Sequence, residues 1–145
     1  MEYPPNLVEN ATGGVLSLAF PKDGYFHWPL LDDAKVTVSV ATTCPQIVSY
    51  QQAQTQKFTL NGLPFTRTVG FDVGAGNRYL EIAYDTISAG KCYHFYFIDH
   101  GTNGAGFYVN DSSLIKKYDS QHDKDLSAVL SAVNGMAANL HILAH

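Results

Sequence analysis

Charge is scarce in this chain: Asp, Glu, Lys and Arg together make up 15% of its 145 residues, against about 25% in ordinary soluble domains. The nine Lys and Arg are scattered among thirteen Asp and Glu, and Lys116–Lys117 is the one basic pair. A nucleic-acid binder needs clustered cations to displace phosphate counterions, so that class is excluded. The net charge of −4 is too small to specify a cationic partner and mainly serves solubility. No run approaches the ~20 apolar residues needed to span a bilayer. No charged and apolar leader opens the chain. The opening Met1-Glu2-Tyr3-Pro4-Pro5 reads as the start of a mature domain or of an artificially trimmed chain, and either implies that an export or lipid-anchor segment has been removed.

Cysteine is also rare, with two residues and no CxxC spacing to suggest zinc. Two buried free thiols are one reading. The other is a Cys44–Cys92 disulfide, favoured by the even count, the low-charge composition and the placement of both residues beside expected strands. Closing a loop of about 49 residues stabilises by roughly 4 kcal/mol on the chain-entropy estimate. A disulfide argues for an extracytoplasmic location, whether secreted, periplasmic or lipid-anchored.

What the chain does have is apolar residues, 46% of the total, arranged as strands. The length fits a single domain, residues 1–145. Leu16, Leu18 and Phe20 alternate, as do Val36, Val38 and Val40, which predicts strands at 15–20 and 34–41. From Lys57 a meander is expected. Asn61-Gly62 is a strong hairpin signal because both residues tolerate positive φ. A strand from Pro64 puts Phe65, Val69, Phe71 and Val73 on one face. Turns follow at Gly74–Asn77 and Ala89-Gly90. The stretch Cys92–Ile98 is apolar or aromatic on both faces and therefore a central strand. Residues 100–122 read as a long irregular connection. A helix then follows, with Leu126, Val129, Leu130 and Val133 on one stripe, capped by Ser120 or Asp123 and weakened or ended at Asn134-Gly135. Leu140–Leu143 reads as a short last strand. The fold class is α+β, an antiparallel meander with a C-terminal amphipathic helix packed on it.

The order of landmarks, Phe20-Pro21 then Trp28, Asn61-Gly62 with Pro64-Phe65, Arg78-Tyr79 and Tyr84, Gly90 before Tyr93, and the late helix, resembles the PsbP-like family. That resemblance implies an α/β/α sandwich around an antiparallel sheet in an exported, often lipid-anchored protein. It carries over no site residues. The stretch Gly76–Asn103 is also similar to uncharacterised bacterial secreted and lipoprotein sequences that share a GN-Y…Y-T…G-CY…H-TN pattern.

Three functional classes are expected from the residues. The first is a non-enzymatic accessory domain that binds a protein or envelope component through aromatic loops, Tyr25, Phe26 and Trp28 in one and Phe107 and Tyr108 in the other. Exposed aromatic patches make such contacts, although the same rings can instead close the core. Peripheral membrane attachment through the removed anchor belongs to this class. The second is a metal-dependent or hydrolytic enzyme built on Asp99, His100, His122 and the 101–122 segment. His94 and His100 are about 20 Å apart along a strand and cannot share an ion. No G-x-S-x-G elbow is present, the glycines read as turns rather than a phosphate loop, and Glu81 and Asp85 read as a solvated strand face. The third is a structural subunit of an envelope assembly. No cofactor is expected.

Overall fold

A computed structural model describes residues 8–12, 15–20, 33–46, 53–107 and 110–139. Seven strands form one antiparallel sheet: β1 (Val8–Thr12), β2 (Val15–Ala19), β3 (Asp33–Ala41), β4 (Gln54–Leu60), β5 (Leu63–Gly74), β6 (Asn77–Ser88) and β7 (Lys91–Thr102). The spatial order is β1-β2-β3-β7-β6-β5-β4. Two meanders are thus joined by pairing the last strand against β3, and β7 becomes the central strand. The α+β class and the single antiparallel sheet agree with the pattern of the residues.

Three two-residue turns build the second meander, each pairing a positive-φ residue with glycine: Asn61-Gly62, Ala75-Gly76 and Ala89-Gly90. Positive φ at both central positions is the type I′ turn, whose twist matches that of the flanking strands. The hairpins therefore close with no loop to spare, and the register is fixed at Leu60↔Leu63, Gly74↔Asn77 and Ser88↔Lys91.

The helical layer is α1 (Gly104–Phe107) and α2 (Ser112–Ala138). Here the expectation of a long irregular connection through 122 is corrected. β7 continues to Thr102, and α2 begins at Ser112, fourteen residues before the expected stripe opens at Leu126. Asp111 is the N-cap, not Ser120 or Asp123, and its side chain accepts from the amides of Ser113 and Leu114, each at 3.0 Å. Its short carboxylate satisfies amides that the first helical turn leaves open. Asn134 and Gly135 lie inside α2, whose C-cap is Asn139. The Leu140–Leu143 strand lies outside the described residues.

Helix α2 buries Tyr118, His122, Asp125, Val129, Val133 and Met136, a 3–4 spacing that defines one face. That face covers Leu18, Val36, Ile82, Tyr84, Phe95 and Phe97, residues that register and alternation put on one side of the sheet. Phe97 meets Phe20 edge-on, and Tyr84 meets Phe95 and Phe58 the same way. Tyr84 Oη donates to Asn134 Oδ1 at 2.8 Å and accepts from Arg67 Nε at 3.2 Å. A phenol beneath the helix is thereby satisfied at its polar tip.

The opposite side of the sheet is buried too, over Glu81, Ala83, Cys92 and His94. Glu81 and Asp85 do share a strand face, but that face is not solvated: Glu81 is 5% exposed. β6 is an interior strand, so these side chains have strand neighbours on both flanks rather than an open edge.

Candidate functional site

The sheet has two unlike ends. At the first, the Ala89-Gly90 turn of β6–β7 and the Asn61-Gly62 turn of β4–β5 sit beside the Cys44–Cys92 disulfide. The two sulfurs are 2.06 Å apart and the Cα atoms 5.2 Å apart. The bond fastens the chain leaving β3 to the central strand, close to where Ala41 pairs with Cys92. Across β6–β7, His94 and Asp85 are direct partners, and His94 Nδ1 lies 2.6 Å from Asp85 Oδ1. Cys92 Sγ lies 3.9 Å from the same oxygen. The His94 ring stacks on Tyr96 with centroids 5.5 Å apart.

At the other end, an ion-pair hub joins the sheet to α2. Arg78, near the start of β6, reaches Asp119 Oδ1 at 2.6 Å, Asp123 Oδ1 at 3.4 Å and His122 Nδ1 at 3.0 Å. A guanidinium can only donate. His122 Nδ1 therefore accepts, and the proton of the neutral ring sits on Nε2, 3.8 Å from Asp99 Oδ2. His122 and Asp99 are 4% and 1% exposed, so each must be held by charge or hydrogen bonding. Tyr118 stacks beside His122 at 6.5 Å.

Asp119 has a second task. Its Oδ1 also accepts from the Gly104 amide at 3.0 Å, fixing the start of α1 against α2. Gly104 is required there: a Cβ would stand 2.9 Å from the Ile115 carbonyl oxygen and 3.3 Å from Asp119 Oδ1. Asn103 N donates to Gly76 O at 2.8 Å, which ties the same segment to the β5–β6 turn.

These contacts locate the anchors of both aromatic segments. Phe20 N donates to Ala34 O at 3.0 Å and Asp33 pairs with His100, so both flanks of 21–32 lie at the Arg78 end. Thr102 pairs with Asn77 at that end, and Gly104 opens the segment that leads to Phe107 and Tyr108. At the same end, on the far side of β6 from β7, Phe71 and Val73 are 50% and 57% exposed, on the part of β5 that lies beyond its pairing with β4. Tyr25, Phe26, Trp28 and Tyr108 and the side chain of Phe107 lie outside the described residues.

Of the expected metal ligands, the fold brings Asp99 and His122 together on the helix side. It does not bring His100. Alternation along β7 points His100 to the opposite side, where its ring stacks on Tyr79 with centroids 4.4 Å apart. Among the described residues, the set of His, Cys, Asp and Glu donors within 4.8 Å of one another is Cys44, Asp85 and Cys92, two of which are tied up in the disulfide. Of the residues that organise the Arg78 end, the sequence offered Arg78 only as a landmark of the resemblance and Asp123 only as a candidate cap, and it did not single out Asp119. Asp119, His122 and Asp123 fall on one helix face by spacing, but that signal requires knowing that the helix begins at 112.

No protein-family profile and no curated protein sequence matches this chain.

Proposed function

We propose that the protein is an extracytoplasmic, non-enzymatic accessory domain that binds a partner protein or envelope component through Tyr25, Phe26, Trp28, Phe107 and Tyr108. The observation that carries this reading is the shared end of the sheet. The flanks of both aromatic segments lie at that end, as do the exposed Phe71 and Val73 across β6, so a single end surface can use them together. Large exposed apolar side chains in one place are the usual mark of a contact site, and aromatic anchors supply most of the energy of such contacts. The disulfide agrees with an oxidising compartment. The resemblance to PsbP-like proteins fits an antiparallel sheet with a helix over one side and burial on both.

The test is a Trp28→Ala/Tyr108→Ala double variant, compared with wild type for partner capture from the envelope of the producing cell. Lost capture with an unchanged circular dichroism spectrum is expected. Unchanged capture by a folded variant sinks the proposal. Self-association of the wild type at micromolar concentration, abolished by the same variant, would identify the partner as another copy in an envelope assembly.

A further inference from the structure

The disulfide corner gathers three donors of metal-binding type, two of them joined in the S–S bond. The two sulfurs of Cys44 and Cys92 and a carboxylate oxygen of Asp85 lie within 4.8 Å of one another, and Cys92 Sγ is already 3.9 Å from Asp85 Oδ1. In a tetrahedral zinc site, metal–sulfur bonds of ~2.3 Å and metal–oxygen bonds of ~2.0–2.2 Å separate neighbouring donors by roughly 3.5–3.8 Å. Once the S–S bond is opened, the sulfurs are free to part to that spacing. Cys92 is held in the central strand. Cys44 lies on the half-buried segment after β3, outside any ladder, and is the one free to move.

We propose that reduction of the Cys44–Cys92 bond converts this corner into a binding site for a zinc-type divalent cation, held by Cys44, Cys92 and Asp85. His94, 2.6 Å from Asp85 Oδ1, orients the carboxylate in the way outer partners steady metal ligands. The fourth position faces a cavity of about 510 Å³ lined by Cys44, Lys57, Thr66, Asp85 and Ile87, and a water or small ligand fills it. Lys57 on that wall offsets part of the excess negative charge of two thiolates and a carboxylate. Two sulfur donors select zinc, cobalt or a similar borderline cation and reject magnesium and calcium, which take oxygen ligands.

The chemistry balances with a dithiol as reductant. Two electrons and two protons pass from the dithiol to the S–S bond, which breaks to two thiols, while the dithiol closes to its own disulfide. Cation binding then displaces the two thiol protons to solvent. The proposal does not depend on the aromatic segments, whose described flanks lie at the other end of the sheet.

Cobalt(II) is the direct probe. Protein reduced with a phosphine, desalted anaerobically and titrated with cobalt(II) is expected to bind one equivalent, with thiolate-to-cobalt charge-transfer absorption that zinc abolishes. Oxidised protein is expected to show none. Asp85→Asn should weaken binding tenfold or more, and His94→Gln by a smaller factor, while both keep the native spectrum when oxidised. Absence of the charge-transfer band in reduced protein overturns the proposal, as does equal binding by Cys44→Ser. A reduced chain that unfolds and is not restored by zinc overturns it as well.

Discussion

The two ends of the sheet solve the same problem, fixing strand ends to the body of the fold, by different means. At the disulfide end, a covalent bond and two type I′ turns tie the strands together. At the Arg78 end, a single guanidinium spans β6 and α2, and Asp119 passes the restraint on to Gly104. The first end resists unfolding through the connectivity of the unfolded chain. The second depends on noncovalent geometry in the folded state and leaves Phe71 and Val73 exposed at the same end as the flanks of two aromatic segments. A domain that needs one rigid end and one presenting end has reason to differ in this way.

Breaking the covalent end should have the largest effect. Cys44→Ser/Cys92→Ser is expected to lower unfolding free energy by about 4 kcal/mol, on the loop-entropy estimate. Urea denaturation with and without a reductant checks this, and wild type in reductant should approach the variant. At the other end, Arg78→Ala should cost about 2 kcal/mol, because charged groups near the helix lose their common donor. The estimate stays low because Asp119 and Asp123 are 38% and 71% exposed and water compensates for part of the loss. Arg78→Lys should recover only a fraction, since an ammonium cannot hold His122 and Asp119 with one planar fork; the same melts measure it. Asp111→Ala should cost about 1 kcal/mol through the lost cap, read from the thermal midpoint. The smallest stability change, within about 0.5 kcal/mol, is expected for Phe71→Ser and Val73→Ser, and a binding assay should nonetheless show weakened capture by both. If these two substitutions destabilise as strongly as Arg78→Ala, the exposed patch is packing, and the contrast between the ends fails.

Strands β2, β3 and β5 to β7 were legible because their side chains alternate cleanly or run apolar and their turns carry Asn-Gly, Ala-Gly or Gly-rich signals, whereas β1 and the Gln-rich start of β4 carry no such pattern. Cys92–Ile98 was readable as central from its unbroken apolar and aromatic run. The first half of α2 was not readable, and the cause is specific. Tyr118, His122 and Asp125 continue the stripe of Val129, Val133 and Met136, but polar residues at those positions look like surface until their partners are known. His122 is buried because Arg78, distant by 44 positions, meets it. The Glu81 and Asp85 face was misread for a related reason, since alternation shows that two residues share a side without showing what lies next to it. The disulfide followed from count and placement, whereas the Asp85–His94 contact beside it depends on a register that only the paired strands define.

The most direct test of the presenting end is site-specific photo-crosslinking in the producing cell, with the reactive side chain placed at Val73 or Tyr108 and, separately, at Lys57 or Ile87. Discrete adducts from Val73 and Tyr108, with none from Lys57 and Ile87, are the predicted result. Adducts confined to Lys57 and Ile87, or equal from all four positions, would contradict it.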